Sequence, residues 1–94
     1  MDDYNFVNKI KTLPFVEAIY LFGSRARGDA DDKSDIDLAI LCPEASVEDW
    51  NNIAEYLGNA PVLNHIDAVR YDTLKNGLFK QQIDKYKQVL YAKN

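Results

Sequence analysis

The sequence predicts a small α+β domain, α/β-like in its alternation, with helices packed on a mixed sheet of about four strands. Three observations carry that expectation. Residues 16–22 and 36–41 are β-branched, aromatic-rich or aliphatic at nearly every position, the pattern of strands in the middle of a sheet. Three stretches place apolar residues at helical spacing: Phe6, Val7, Ile10 and Leu13; then Val47, Trp50, Ile53, Ala54 and Leu57; then Leu78, Phe79, Ile83 and Tyr86. Finally, 47% hydrophobic and 28% charged residues, with four Gly and three Pro, is the composition of a packed chain rather than a disordered one. A chain of 94 residues buries only about 60–65% of its unfolded surface, enough for one domain over residues 1–94. It leaves no room for a separate substrate-binding domain.

The elements follow in order. The first helix takes Asp2 or Asp3 as its N-cap and stops before Pro14. Strand 16–22 comes next, then a small, charged connection over 23–34 with two glycines, then strand 36–41, stopped by Pro43. Ser46-x-x-Asp49 has the form of a capping box, so the second helix starts there, and Gly58 stands where a helix-ending glycine belongs. After Pro61, residues 62–71 read as a third strand, and Val89, Leu90 and Tyr91 as a short closing one. The predicted order is α-β-β-α-β-α-β, without repeats or linkers.

Charge and cysteine content narrow the function classes. No apolar run approaches the roughly 18 residues a membrane span needs, and the acidic start Met1-Asp2-Asp3-Tyr4 has no signal-peptide core. A lone Cys42 fits a reducing compartment, so a cytoplasmic protein without a membrane association is expected. The net charge of −4 disfavours direct nucleic-acid binding, but it is unevenly spread. Residues 29–67 hold ten acids against Lys33 alone, whereas residues 68–94 hold six bases against Asp72 and Asp84. An acidic middle is suited to divalent cations, and a basic tail to an anion or an acidic partner.

The chemistry concentrates in residues 20–41. Asp35 and Asp37 flank one residue at the start of a strand, so both carboxylates point to one face while Ile36 and Leu38 point to the core. Neighbouring carboxylates repel unless a cation lies between them, and Mg²⁺ is the hard ion that carboxylates share with phosphate oxygens. Gly23-Ser24 ends the preceding strand, where a glycine permits close backbone approach and free amides can hold an anion. If the two strands run antiparallel, that turn lies beside the acidic pair, an arrangement for a metal-bound nucleoside triphosphate. Other readings of the same letters fail. Gly23 to Gly28 has Walker A spacing, but Asp29-Ala30 replaces the Lys-Ser/Thr pair. The run from Asp29 begins like an EF-hand, but Ser34 and Ile40 occupy the positions of its essential Gly and Glu. Arg27-Gly28-Asp29 is an adhesion tripeptide by chance. A solvated acidic connection, with Asp35 and Asp37 as turn formers, is the plain structural alternative.

Gly23-Ser24, a ten-residue spacer (25–34) that ends in Ser34, and Asp35-Ile36-Asp37-Leu38, flanked by two apolar strands, resemble the signature of the nucleotidyltransferase superfamily that includes beta-type DNA polymerases. With its short length, the whole chain resembles a minimal nucleotidyltransferase, the antitoxin-type family paired with HEPN toxins. The segment from Lys85 to Tyr91 is similar to that family's closing strand. The resemblance implies a nucleotidyltransferase core and a third carboxylate on a later strand, a role that falls to Asp67 because it is the only acid between Glu55 and Asp72. It implies two Mg²⁺ ions held by Asp35, Asp37 and Asp67, the three catalytic positions. ATP is the implied substrate, with nucleotide-binding positions at Gly23, Ser24, Arg25 and Ser34, and AMP passes to a hydroxyl of a partner. That partner is expected to be a HEPN-type toxin, modified on a tyrosine within a hetero-oligomer.

The remaining candidates have plain alternatives. Arg25 and Arg27 can reach phosphate or remain solvated. His65 shares a strand face with Asp67, but a structural or surface histidine is the commoner case. Asp67 itself is costly in mid-strand unless paired, metal-bound or at an edge. Lys75, Lys80 and Lys87 read as a solvated face, Trp50 and the six tyrosines as core and rim, and Cys42 as a small buried hydrophobe. Three functions are consistent with these residues: AMP transfer to a partner protein, an antitoxin that neutralises by binding alone, and transfer to a small molecule of the aminoglycoside type, which needs an acceptor pocket from a second copy.

Overall fold

The structure, a computed structural model, describes residues 4–93. The elements run α1 (Val7–Ile10), β1 (Ala18–Phe22), α2 (Ser24–Arg27), β2 (Ile36–Leu41), α3 (Val47–Gly58), β3 (Ile66–Arg70), a single 3₁₀ turn (Tyr71–Thr73), α4 (Leu78–Tyr86) and β4 (Gln88–Ala92). The four strands form one mixed sheet in the order β3-β2-β1-β4. β1 pairs antiparallel with both β2 and β4, and β2 pairs parallel with β3. The parallel pair requires a crossover, which α3 provides. The α+β fold with a four-stranded mixed sheet is thus the one predicted, and the two apolar runs are its central strands.

Alternation along β1 and β2 sorts their side chains. Ile19, Leu21, Ile36, Leu38 and Ile40 face a core completed by Phe6, Val7 and Ile10 of the first helical segment and Ile53 and Leu57 of α3. None of these is more than 5% exposed. Tyr20, Phe22 and Asp37 lie on the opposite face, over which α4 leans: Phe79 meets Phe22 edge-to-face at 5.8 Å, and Ile83 is buried.

The capping box starts α3 as predicted: Ser46 Oγ accepts from Asp49 N, and the Ser46 amide donates to Asp49 Oδ2, both at 3.0 Å. Other local expectations need correction. The α1 caps Asp2 and Asp3 lie outside the described residues, and Phe6 stands at the N-cap. Gly58 is the last helical residue with no left-handed backbone, and Asn59 closes the helix instead. Val47 is 74% exposed and Ala54 is exposed, so α3 buries a narrower stripe than its spacing implied. The third strand is shorter than 62–71 because the Asn64 side chain is drawn to the 23–34 connection, donating to the carbonyls of Asp32 (2.7 Å) and Ser34 (3.1 Å).

The far end of β2 is latched to β3. The Arg70 guanidinium donates to the carbonyls of Cys42 (3.0 Å) and Ala45 (2.8 Å) and pairs with Asp72 at 3.0 Å. Asp72 in turn accepts from the Cys42 amide at 2.8 Å. Cys42 is fully buried, as expected, and burial, with Asp72 beside it, pushes its thiol up to about 11.

Candidate active site

The register assembles the site. Phe22 lies opposite Asp37 in the antiparallel pair, and Asp37 lies opposite Asp67 in the parallel pair. Paired positions share a sheet face, so Asp37 and Asp67 stand side by side. Asp35 precedes β2 by one residue, where the Ile36 amide is held by the His65 carbonyl at 2.8 Å. Asp37 is half-buried, while Asp35, Asp67 and His65 are exposed. β3 is an edge strand, the condition under which a mid-strand Asp67 is not costly: water reaches it from the open side.

The Gly23 turn is shaped around Asp37. Gly23 has φ 75° and ψ −155°, a conformation that is essentially glycine-only. A Cβ there would drive into the Asp37 carboxylate, with Asp37 Cγ only 3.1 Å away. The absent side chain is therefore what lets the turn and the acid touch. Gly23 is the N-cap of α2, whose first hydrogen bonds run from the amides of Ala26 and Arg27 to the Gly23 carbonyl. The amides of Ser24 and Arg25 precede those bonds at the open end of the turn. Gly28, left-handed at φ 85°, ends α2 four residues later.

Electrostatics mark Asp37 as the strained member. Burial, then the charges of Asp67 and Asp35, raise its carboxyl above the usual 3.8, and Arg27 and His65 pull only partly the other way. Arg27 pairs loosely with Asp29 at 3.4 Å. The other two predicted nucleotide ligands are turned to the connection itself. Arg25 donates through Nε and Nη2 to the Ser34 carbonyl at 3.2 and 3.1 Å, and Ser34 Oγ closes a turn by accepting from the Asp31 amide at 3.0 Å. Among the described residues, no three acidic, histidine or cysteine side chains converge closely enough to chelate an ion as they stand. No helix of the described residues is long and apolar enough to cross a membrane.

Over residues 5–94 the sequence matches the family model described as polymerase beta, nucleotidyltransferase. The chain belongs to that nucleotidyltransferase family. The sequence matches no curated protein, but solved structures of similar fold exist. One is a toxin–antitoxin complex with AMP-PNP, a chain of which is 25% identical with a TM-score of 0.75; the match covers 98% of this chain and 75% of that one. A second is a tri-AMPylated HEPN toxin of Shewanella oneidensis in complex with an MNT antitoxin (26% identity, TM-score 0.66, 99% and 74% covered). A third is a Sulfolobus solfataricus protein described as a nucleotidyltransferase (27%, TM-score 0.60, 94% and 75% covered). The resemblance to minimal nucleotidyltransferases read from the Gly-Ser and Asp-x-Asp motif is therefore correct.

Sequence reasoning missed two features around the candidate site. Asn64 ties the loop before β3 to the connection before β2, and nothing in the letters around it announces a bond across 30 residues. Lys80 and Lys87 are not a plain solvated face. They lie over the rings of Tyr71 and Tyr20 at 5.2 and 5.3 Å, and both pair with Asp84.

Proposed function

We propose that this chain, as one domain over residues 1–94, is a Mg²⁺-dependent nucleotidyltransferase that moves AMP from ATP to a tyrosine hydroxyl of a partner HEPN toxin, and so acts as an antitoxin. The observation that carries the reading is Asp37, held against the Gly23 turn on one side and in register with Asp67 on the other. The toxin–antitoxin relatives, one with AMP-PNP and one with an AMPylated toxin, support the donor and the acceptor class.

The donor set fits magnesium: hard carboxylate oxygens at Asp35, Asp37 and Asp67, in mutual repulsion that a cation would relieve. Two such ions, when bound, neutralise charge on the phosphate oxygens at both ends of the displacement. The chain's own residues do the rest. The backbone of Gly23 and Ser24 contacts the triphosphate. Asp67 accepts the proton of the acceptor hydroxyl, the freed oxygen bonds to the α-phosphorus, and the bond to the bridging oxygen of the β-phosphate breaks. Pyrophosphate leaves, and AMP remains on the acceptor. Arg25 and Asn64 position this machinery by fixing Ser34, the residue before Asp35.

Incubation with α-labelled ATP, Mg²⁺ and a lysate of the source cells tests the reading, beside an Asp35→Asn, Asp37→Asn control. Label on one protein band with the natural chain and none with the control is expected. A second reading, neutralisation by occlusion, draws on the relative found in complex with its HEPN toxin. It would hold if the double Asn variant silenced the toxin as well as the natural chain does.

A further inference from the structure

Beside the acids is a partly enclosed pocket of about 200 Å³, of whose lining the proposed reaction uses only Gly23. Its lining includes Phe22 and Gly23 of the β1 end, Arg27 of α2, and Phe79, Gln82 and Tyr86 of α4. Phe79 and Tyr86, which both line it, remain 52% and 39% exposed.

From these observations we infer that this pocket receives the nucleobase of the donor nucleotide, and that its chemistry selects adenine. The inference rests on the proposed transfer reaction and deepens it. Sheet order decides which substrate enters. Across the shared face the sequence is Asp67 on β3, Asp37 on β2, then Phe22 on β1. With Asp67 receiving the acceptor's proton, the acceptor approaches from the β3 side. The pocket lies on the other side of Asp37, over β1 and against α4, so what fills it is attached to the donor. Of the donor's two ends, the anionic tail suits backbone amides, whereas aromatic walls suit a flat ring. Stacking on such walls takes any base. Selection then falls to Gln82, whose amide carries a donor and an acceptor on neighbouring atoms, the pattern that matches the N6 amino group and N7 of adenine. Arg27 links the two halves: it lines the pocket, and its charge is felt by Asp37.

Calorimetric titration of the full chain in Mg²⁺ with ATP, GTP, CTP and inorganic tripolyphosphate tests the assignment. Phe79→Ala is expected to weaken ATP by about five- to 150-fold, the usual range for losing a stacked base, and to leave tripolyphosphate unchanged. Gln82→Ala, at an exposed position that threatens no fold, is expected to bring ATP down to the level of GTP. Thermal melts of both variants check that Phe79, which packs on Phe22, leaves the domain folded. ATP affinity equal to the natural chain in both variants overturns the pocket assignment, as does an equal loss for ATP and tripolyphosphate. If labelled AMP transfer persists in that case, the reaction stands and only the pocket falls. A natural chain that binds neither ATP nor tripolyphosphate overturns both. Variants that lose the partner but keep ATP overturn the assignment in favour of a docking surface.

Discussion

The two faces of the sheet are built from the same strands and do different work. On one face Ile19, Leu21, Ile36, Leu38 and Ile40 are sealed under the first helical segment and α3, each at most 3% exposed. On the other, α4 covers β1 through Ile83 and the Phe22–Phe79 contact and meets the turn after β3 through Tyr71 and Asp84, while Asp37 and Asp67 stand near the starts of β2 and β3. The difference teaches where a small domain can keep charge. Full burial of an uncompensated carboxylate costs several kcal/mol, a large share of a small domain's stability. Half coverage keeps Asp67 hydrated and Asp37 only moderately strained. The closed face supplies the stability, and the open face carries the carboxylates whose mutual repulsion opposes it.

The contrast is broken most severely at Leu38, wholly buried at the centre of the closed face. Leu38→Ala should cost about 2–5 kcal/mol and lower Tm by at least about 10 °C, read by thermal melting; a fall of a degree or two would mean that the core has room to collapse. On the open side, Gly23→Ala should cost about 1–3 kcal/mol, the usual range for a glycine-only conformation. It should also abolish labelled AMP transfer, since the new methyl group displaces the Asp37 carboxylate. Full transfer by that variant would separate the turn from the site.

Asp37→Asn sharpens the contrast because activity and stability should move oppositely. Transfer should be lost while Tm at neutral pH, without metal, equals or exceeds that of the natural chain. The sign follows from the raised carboxyl. A group that binds its proton more tightly when folded stabilises below its unfolded value of 3.8, and that contribution fades as pH rises through the higher folded value. The Tm difference between variant and natural chain should therefore grow with pH across that window. A Tm well below the natural chain at pH 7 would show the carboxylate to be structural.

The smallest effect concerns the rim. Tyr71 donates its hydroxyl hydrogen to Asp84, which pushes the phenol up to about 12 and holds the Asp84 carboxyl below 3.8. Stability from Asp84 is present above its unfolded value and lost as pH falls through the lower folded one. Tyr71→Phe should cost about 0.5–1.5 kcal/mol, and a spectroscopic titration should lose one ionisation near 12. Loss of an ionisation near 10 instead would place Tyr71 outside that bond.

Much of this was legible in the letters, for local reasons. Continuous apolar runs made β1 and β2 central, the Ser46–Asp49 box set the start of α3, and the Gly-Ser and Asp-x-Asp motif marked the candidate site. Each depends on residues a few positions apart, where alternation and capping act directly. Boundaries were less legible. The third strand begins at Ile66 because Asn64 prefers a carbonyl in a distant loop, and Gly58 has no left-handed role because Asn59 closes the helix without one.

What the sequence determined by itself is the set of parts: two central strands, their helices, a Gly-Ser turn and three candidate carboxylates. Only the tertiary structure decided how those parts face one another. Strand order put β3 at an edge, so Asp67 is affordable there. Register put Asp67 beside Asp37, and the reach of α4 closed one side of the site with aromatic rings and left the other open. Pairing partners and coverage depend on contacts between residues far apart in the chain, and these are won by packing the whole molecule at once rather than by any local pattern.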